Sequence, residues 1–339
     1  MAQDNLSFLE KKQQLTRASL IGIPLDLGKD NIGTDAGPKK LRELGIVKSL
    51  TSAGVDVLDR GDVPAATRAA TDIGDVRLKY LEAILETLRP AAALIEKEIR
   101  QGQIPIAIGG DHSIAVGTIS GASAACDGDL GIIWIDAHGD INTHETSLSG
   151  NIHGMPLAAV LGLGHPDLVN LHQPGQKIKS ANVVYVGLKD LDQAEIDFIR
   201  QGNISAFTVM DIVRAGLEPV CQAIVALQKR VKKIWVSLDV DSIDALYAPS
   251  TPMLNKGGLT YREISALTQY IGKVCSLIGF EIVEFAPDRD KNNLTGQLII
   301  ELAARLLGTE HTWYTDYMDE EAKKQIRRGT NLVDAVHKS

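Results

Sequence analysis

The chain of 339 residues has few cysteines, few aromatic residues and no long uninterrupted apolar run. Its three cysteines, Cys126, Cys221 and Cys275, lie far apart without a CxxC pair, which favours a reducing compartment over a disulfide framework. No apolar run approaches the roughly 18 residues that span a membrane. The N-terminus has no apolar signal core and carries Asp4 and Glu10, which transit peptides avoid. We therefore expect a cytoplasmic protein with no membrane partner.

The chain also has fewer basic than acidic residues: 35 basic and 43 acidic residues give a net charge of −8. A nucleic-acid partner needs a basic face that attracts phosphates, so the charge argues against such a partner. Hydrophobic residues make up 44% of the chain and charged residues 23%, which is typical of soluble globular proteins. The composition predicts a folded protein whose partner is a small molecule rather than nucleic acid.

Seven short apolar segments have the composition of β-strands. Most are rich in β-branched residues and nearly continuous in hydrophobicity, as strands of parallel sheets are when both faces are covered. The predicted strands are 19–25, 55–59, 104–109, 130–136, 182–188, 233–241 and 275–285.

Helical patterns alternate with these strands along nearly the whole chain. The predicted helices are 37–53, 77–101, 113–125, 194–201, 217–231, 261–273 and 294–307. Such alternation indicates an α/β fold with right-handed crossovers. No Pro/Gly/Ser linker divides the pattern, so we expect one domain over residues 18–307, preceded by a lead over 1–17. The more polar and charged segment 308–339 is predicted to be a C-terminal extension.

Acidic and histidine residues follow three of the predicted strands. The three groups are Asp111 with His112; Asp136, His138 and Asp140; and Asp239, Asp241 and Asp244. In open α/β sheets, ligands bind outside the carboxyl ends of the strands. Side chains two apart in an extended segment point the same way, so members of each group can converge.

Carboxylates that meet without compensation repel one another strongly, and divalent cations are their natural compensation. Two histidines and four aspartates suit hard or borderline ions such as Mn²⁺. Six ligands are too many for one catalytic ion, but they suit two ions bridged by carboxylates roughly 3.5–4 Å apart. Each motif alone has another interpretation: a strand-end turn with a capping Asp, a pair of loop acids, or a helix N-cap. Their joint occurrence favours the metal site.

Five motifs together resemble the ureohydrolase superfamily, and within it most closely the arginases. They are "GGDHS", "DAHGDINT", "SGNIHGMP", "SLDVDSID" and "GGLTYRE", in the expected order. The resemblance extends from about residue 18 to 307. It implies a three-layer αβα fold with a central, mainly parallel sheet, two Mn²⁺ ions per subunit, and hydrolysis of a guanidinium group to urea. It also implies a homo-oligomer, a trimer or a hexamer.

The resemblance assigns ligands to both ions. The first ion would be held by His112, Asp136, Asp140 and Asp239. The second would be held by His138, Asp136, Asp239 and Asp241, with Asp136 and Asp239 bridging. Asp111 and Asp244 match no ligand of the family and are expected either to contact the ligands from behind or to be structural.

A guanidinium is resonance-stabilised and protonated near neutral pH, so it is a poor electrophile. Two metal ions would lower the pKa of a bridging water and hold hydroxide as the nucleophile. The leaving amine needs a general acid, and His153 resembles the family's proton-shuttling histidine. Glu284 resembles the acid that pairs with the substrate guanidinium. The expected catalytic residues are therefore His153, Glu284 and Asp140.

The residues that resemble the amino-acid head-group site favour L-arginine, hydrolysed to L-ornithine and urea. Asn142 and Ser149 match positions that receive the α-carboxylate, and Ser147 and Asn151 match nearby positions that act through water. Asp192 matches the acid that faces the α-ammonium. Agmatine lacks this head group, and agmatinases diverge at the corresponding motifs.

The loop before Gly257 departs from the family pattern. The chain reads "STPMLNKGGLTYRE", which places Thr251 and Pro252 two residues further from Gly257 than is usual. If Thr251 does not reach the guanidinium pocket, Met253 can take that space. Alternatives therefore remain: hydrolysis of another guanidino compound such as agmatine or a guanidino acid, or a weakly active metal-binding oligomer. A zinc deacetylase needs one metal and is disfavoured by six ligands.

Overall fold

The computed structural model describes residues 16–309, together with residues 321 and 324. Its core is one sheet of eight parallel strands in the order β2-β1-β3-β8-β7-β4-β5-β6. The strands are β1 (Thr16–Ile23), β2 (Val55–Asp62), β3 (Ile104–Gly109), β4 (Leu130–Ile135), β5 (Val183–Leu188), β6 (Ser205–Thr208), β7 (Lys233–Asp239) and β8 (Leu277–Val283). The predicted α/β class with a mainly parallel sheet is confirmed.

Helices connect the strands and cover both faces of the sheet. In the described residues they are α1 (Gly37–Glu43), α2 (Ile46–Ser52), α3 (Leu81–Arg100), α4 (Ala115–Ala125), α5 (Pro156–Val160), α6 (Pro166–Val169), α7 (Gln193–Gln201), α8 (Val209–Ala215), α9 (Glu218–Arg230), α10 (Tyr261–Val274) and α11 (Leu294–Leu306).

Alternate residues of each strand enter two separate apolar cores. In β4, Ile132 and Trp134 pack with α3, α4 and α5 on one face of the sheet, whereas Ile133 and Ile135 pack with α9, α10 and α11 on the other. All four side chains have no solvent exposure. A strand buried on both faces needs the continuous hydrophobicity that the sequence shows. The three-layer αβα arrangement is thus confirmed.

The structure corrects several predicted elements. The helix predicted over 37–53 is two helices, because Gly45 adopts a left-handed conformation with φ 85° and ends the first one. The edge strand β6 and the helix α8 were not predicted. Strand β6 has only four residues, each partly or fully exposed, so it lacks the apolar run that indicates a buried strand.

Both ends of the predicted domain fall close to the limits of the described chain. Strand β1 begins at Thr16, two residues before the predicted start at residue 18. At the other end, the Thr309 hydroxyl donates a 2.6 Å hydrogen bond to the carbonyl of Ala53. Most of the predicted lead and C-terminal extension lies outside the described residues. Within 16–309, 321 and 324, helices fall short of the length and apolarity needed to cross a membrane.

Candidate metal centre

Four adjacent strands in the middle of the sheet bring the candidate residues together. Strands β3, β8, β7 and β4 are neighbours, and all point the same way. His112 follows β3, Asp136 follows β4, Asp239 ends β7, and Glu284 follows β8. The carboxyl ends of these strands therefore deliver four functional side chains to one edge of the sheet, as the rule for open α/β sheets requires.

The "GGDHS" motif positions His112 through a close backbone contact. A Cβ atom at Gly110 would lie 1.7 Å from the carbonyl oxygen of Leu25, so only glycine fits. The buried Asp111 carboxylate accepts hydrogen bonds from the backbone N–H groups of Ser113 (3.0 Å) and Gly28 (2.8 Å). Asp111 is therefore a structural cap that joins two loops, and the N-cap interpretation of this motif is confirmed.

We use "acid–imidazole cluster" for six residues: His112, Asp136, His138, Asp140, Asp239 and Asp241. The His112 Nδ1 atom is the centre of its first half. It lies 2.9 Å from an oxygen of Asp140, 3.1 Å from one of Asp136 and 3.2 Å from one of Asp239. It nevertheless forms no hydrogen bond of regular geometry. One nitrogen facing three carboxylate oxygens is an arrangement that a shared cation would fit.

The other ring nitrogen of His112 fixes the orientation of the imidazole. His112 Nε2 lies 2.8 Å from the Ser237 hydroxyl, and the ring stacks on Trp134 with centroids 4.4 Å apart. With Nε2–H donating to Ser237, the lone pair of Nδ1 points into the cluster. The indole N–H of Trp134 donates to Asp136 at 3.0 Å, so one side chain orients two candidate ligands.

The second half of the cluster is built on His138. Its Nδ1 lies 3.2 Å from an oxygen of Asp241 and 3.5 Å from one of Asp136. Two sets of ligand atoms each lie within 4.8 Å of one another, His112–Asp136–Asp239 and Asp136–His138–Asp241. Asp136 belongs to both sets, which is the sharing that a bridging carboxylate requires. The Asp239 carboxylate also accepts from the Asp241 N–H (2.7 Å), which holds the turn after β7.

The carboxylates of the cluster are buried and repel one another. Burial and the charges of Asp241 and Asp136 raise the pKa of Asp239 well above its usual value. Burial, with Asp136, also raises the pKa of Asp140, and burial raises that of Asp241 to about 6. Burial opposes protonation of His112, but Asp136 and Asp140 outweigh it and raise its pKa. Acids whose mutual repulsion is this strong are stabilised by bound cations.

The donor atoms fit a pair of divalent cations. Besides His112 Nδ1, the buried Asp241 Oδ1 has no hydrogen-bond partner. Such orphaned buried atoms are unfavourable unless a ligand satisfies them. Aspartate oxygens and imidazole nitrogens are ligands for Mn²⁺ and similar ions. Asp140 adopts a left-handed φ of 50°, a conformation that non-glycine residues adopt mostly where surrounding structure enforces it.

Glu284 and His153 lie next to the cluster. His153 Nδ1 is 3.5 Å from Glu284 Oε1, which also accepts the backbone N–H of His112 at 2.9 Å. Burial opposes ionisation of Glu284, but Lys29 and His153 outweigh it and lower the pKa of the carboxyl. Burial likewise opposes protonation of His153, but Glu284 and Asp140 raise its pKa above the usual value. A buried acid and a histidine thus lie side by side next to the cluster.

The predicted head-group residues lie in two places. Asn142 donates a 2.7 Å hydrogen bond to Asp192, so these two side chains are brought together. Asp192 is also the N-cap of α7, where its other oxygen accepts the backbone N–H of Glu195 at 3.0 Å. Capping alone would explain one of its two carboxylate oxygens, whereas the other is turned towards Asn142.

Ser147, Ser149 and Asn151 lie together in the loop that follows Asn142 in the chain. The two serine hydroxyls are 3.5 Å apart, and the Ser149 hydroxyl accepts the backbone N–H of Asn151 at 3.2 Å. The Asn151 side chain accepts from Lys79 (3.0 Å) and donates to Asp30 (3.2 Å). These contacts join the loop to the one that follows β1. We call the loop segments 26–34, 142–151 and 250–257 the rim loops.

The altered segment 250–257 buries Thr251 rather than Met253. Thr251 has no solvent exposure, and its hydroxyl oxygen has no hydrogen-bond partner. Met253 is 43% exposed, with its sulfur 4.0 Å from the side-chain nitrogen of Asn31. Asp244 accepts the backbone N–H of Gly257 at 2.6 Å and so acts as a loop acid, as expected.

Sequence reasoning missed three residues around the centre. Lys29 contacts Glu284 through its ammonium group. Ser237 holds His112, and behind it the fully buried Glu281 accepts a hydrogen bond from Thr118. The usable signals were polar residues inside the apolar strands β7 and β8 and a lysine in the loop after β1.

Comparisons with known proteins agree with this geometry. The model of the family described as "Arginase family" matches residues 16–308. The chain is 40% identical over 294 residues to the arginase of Bacillus caldovelox, covering 86% of this chain and 97% of that protein. The native structure of Bacillus caldovelox arginase superposes with a TM-score of 0.82 at 37% identity, covering 88% of this chain and 100% of that one. The structure of an Entamoeba histolytica arginase in complex with L-ornithine superposes with a TM-score of 0.80 at 30% sequence identity, covering 87% of this chain and 100% of that one.

Proposed function

The chain belongs to the arginase family, and from that premise we propose that it hydrolyses L-arginine to L-ornithine and urea. The observation that supports this most directly is the pair of ligand sets that share Asp136, with Glu284 and His153 beside them. An arrangement of this kind combines sites for two cations, an anchor for a guanidinium and a proton donor.

The acid–imidazole cluster would hold two divalent cations, which we propose to be Mn²⁺. His112, Asp140, Asp136 and Asp239 would hold one, and His138, Asp241, Asp136 and Asp239 the other. Ions held there would supply Lewis acidity and lower the pKa of a water molecule towards neutrality. The hard oxygen ligands favour Mn²⁺ over the sulfur-rich sites of structural zinc.

The chain's own side chains would perform the remaining tasks. Glu284, ionised and buried, pairs with the guanidinium and holds its carbon near the cluster. Asp140 accepts a hydrogen bond from the attacking water and so orients it. Glu284 and Asp140 raise the pKa of His153, which favours its protonated form, and His153 would deliver that proton to the departing amine nitrogen.

The rim loop 142–151 and Asp192 would bind the amino-acid head group of the substrate. Asn142 and Ser149 would donate to the α-carboxylate, and Ser147 and Asn151 would act through water. Asp192 would accept from the α-ammonium through the oxygen that now accepts from Asn142. These polar contacts favour L-arginine over agmatine, which lacks the α-carboxylate.

Urea release from L-arginine, agmatine and guanidinobutyrate by Mn²⁺-loaded protein tests the proposal. We expect L-arginine to have the highest kcat/KM. A tenfold preference for agmatine would show that agmatine, and not arginine, is the substrate. If none of the three compounds released urea, the protein would bind metal in some other role.

The quaternary structure and the cellular location stay predictions. The family resemblance supports a homo-oligomer, a trimer or a hexamer, and light scattering coupled to size-exclusion chromatography would measure its mass. The scarcity of cysteine supports location in the cytoplasm, and Cys126 and Cys221 are free thiols.

A further inference from the structure

The lysine after β1 reaches into the candidate active site. The Lys29 ammonium contacts Glu284 Oε2, and both side chains are almost completely buried, with 2% and 3% exposure. A lysine is rarely buried to this extent without a functional or structural reason. Here the buried ammonium lies on the one carboxylate that the proposed function reserves for the substrate guanidinium.

The backbone around Lys29 is held firmly by neighbouring residues. The Gly28 N–H donates to Asp111 at 2.8 Å, and the Gly28 carbonyl accepts the N–H of His153 at 3.0 Å. The guanidinium of Arg68 donates at 2.6 Å to the carbonyls of both Lys29 and Asp26. Residue 29 is therefore anchored at its backbone, whereas the four-carbon stem of its side chain keeps rotatable bonds of its own.

Both oxygens of Glu284 already have partners while Lys29 is in place. Oε1 accepts the His112 N–H at 2.9 Å and lies 3.5 Å from His153, and Oε2 contacts the ammonium. A guanidinium binds a carboxylate best through two parallel N–H bonds, which need both oxygens. It would also bring a second positive charge next to the ammonium, and like charges at this distance repel.

We propose that the Lys29 ammonium is an internal competitor for the cationic end of the substrate: it occupies the guanidinium position on Glu284 and has to leave before a guanidino compound binds. Residue 29 is then a specificity-determining residue that sets the affinity for guanidino substrates. The inference rests on the proposed pairing of Glu284 with the guanidinium.

Nearby acids give the displaced ammonium a favourable alternative. The charges of Asp26 and Asp111 both interact with Lys29 in the present arrangement. A rotamer change that moves the ammonium away from Glu284 keeps it in the field of these carboxylates. A compact ammonium on a flexible stem suits such an exchange better than the broad, planar guanidinium of arginine.

Two neutral substitutions and one conservative substitution test the proposal on the Mn²⁺-loaded protein. Lys29→Gln keeps a hydrogen-bond donor for Glu284 and removes the charge; Lys29→Ala provides a second neutral variant if the first is unstable. Both should lower the KM for L-arginine at least about tenfold with kcat changed less than about threefold, because uniform binding improves and the chemistry does not change. Lys29→Arg keeps the competing cation, so its KM should not fall.

Binding of guanidinium chloride at millimolar concentration, measured by calorimetry, provides a readout that is independent of turnover. The neutral variants should bind this probe at least about tenfold more tightly than the natural protein, since they lack the competing charge. Lys39→Gln, which changes an exposed lysine on α1, is the matched control and should behave like the natural protein.

The outcomes separate the inference from the proposed function. Neutral variants that hydrolyse arginine with an unchanged or higher KM would overturn the role of Lys29 and leave the arginase activity standing. If the natural protein and all variants released no urea, the proposed function would fail. Calorimetry would then still decide the competition for Glu284, because unchanged guanidinium affinity in the neutral variants overturns it.

Discussion

The acid–imidazole cluster and the rim loops are both polar, but they are positioned by different means. Cluster residues lie at the ends of buried strands, and their side chains are held within about 3 Å of one another by the register of the sheet. The rim loops are held by individual contacts such as Lys79 with Asp30 and Asn151. We therefore expect changes in the loops to alter substrate selection more than the chemistry, which fits the departures from the family pattern between residues 250 and 257.

The largest effect is expected from Asp136→Asn, which removes the carboxylate shared by both ligand sets. We expect urea release to fall on the order of 10³-fold or more, because Lewis-acid stabilisation contributes several kcal/mol. The Mn²⁺ content per subunit, measured by elemental analysis, should fall as well. Asp244→Asn is the control, since this loop acid contacts Gly257 outside the cluster. If Asp136→Asn kept its full metal content and activity, Asp136 would not be a shared ligand of the two ions.

The next effect separates proton transfer from metal binding. His153→Ala should slow kcat about 10²–10⁴-fold, the usual contribution of a general acid. Both ions should stay bound, because His153 belongs to neither ligand set. His172→Gln, a change to a histidine that pairs with Glu96 far from the centre, serves as the control. If His153→Ala lost as much metal as Asp136→Asn, His153 would be a metal ligand and not a proton donor.

A substitution at the rim should change selection without changing the chemistry. Asp192→Ala should raise the KM for L-arginine about 10–100-fold, the loss expected for a charge-assisted hydrogen bond, and should leave agmatine nearly unaffected. It also removes the N-cap of α7, at a cost of about 1 kcal/mol in stability. Thr260→Ala removes the N-cap of α10 alone and controls for that loss. An unchanged KM for both substrates would show that Asp192 does not contact the head group of arginine.

The smallest effect concerns Glu195, which lies between the two regions. Burial, with the charge of Asp140, raises its pKa to about 7. Because the folded chain holds this proton more tightly than the unfolded one, the resulting stability is complete below about pH 4 and is lost as the pH rises towards about 7.

Glu195→Gln should therefore flatten the pH dependence of the unfolding temperature of metal-depleted protein over this interval. The amide oxygen can still accept the N–H of Asp192, so the capping box survives. Glu82→Gln changes an exposed acid in the first turn of α3 and provides the comparison. Equal slopes in Glu195→Gln and the natural protein would show that the proton is not held there.

Much of the fold was predictable because its signals are local. The apolar segments of β3, β4 and β5 were placed within one residue of their observed bounds, since fully buried strands have continuous hydrophobicity. The edge strand β6 was missed because a short, half-exposed strand has no such signal. The break between α1 and α2 depends on the left-handed conformation of Gly45, a choice that periodicity alone does not indicate.

The spacing and chemistry of the residues in sequence determined the kind of site: acids and histidines two apart after buried strands, and motifs that resemble the arginases. Only the tertiary structure decided that β8 and β7 insert between β3 and β4, because strand order in a parallel sheet is set by crossover connections and not by local sequence. That insertion brings Glu284 beside His112, although the two are 172 positions apart. It also brings the Lys29 ammonium onto Glu284, a contact between oppositely charged groups that no spacing along the chain could indicate.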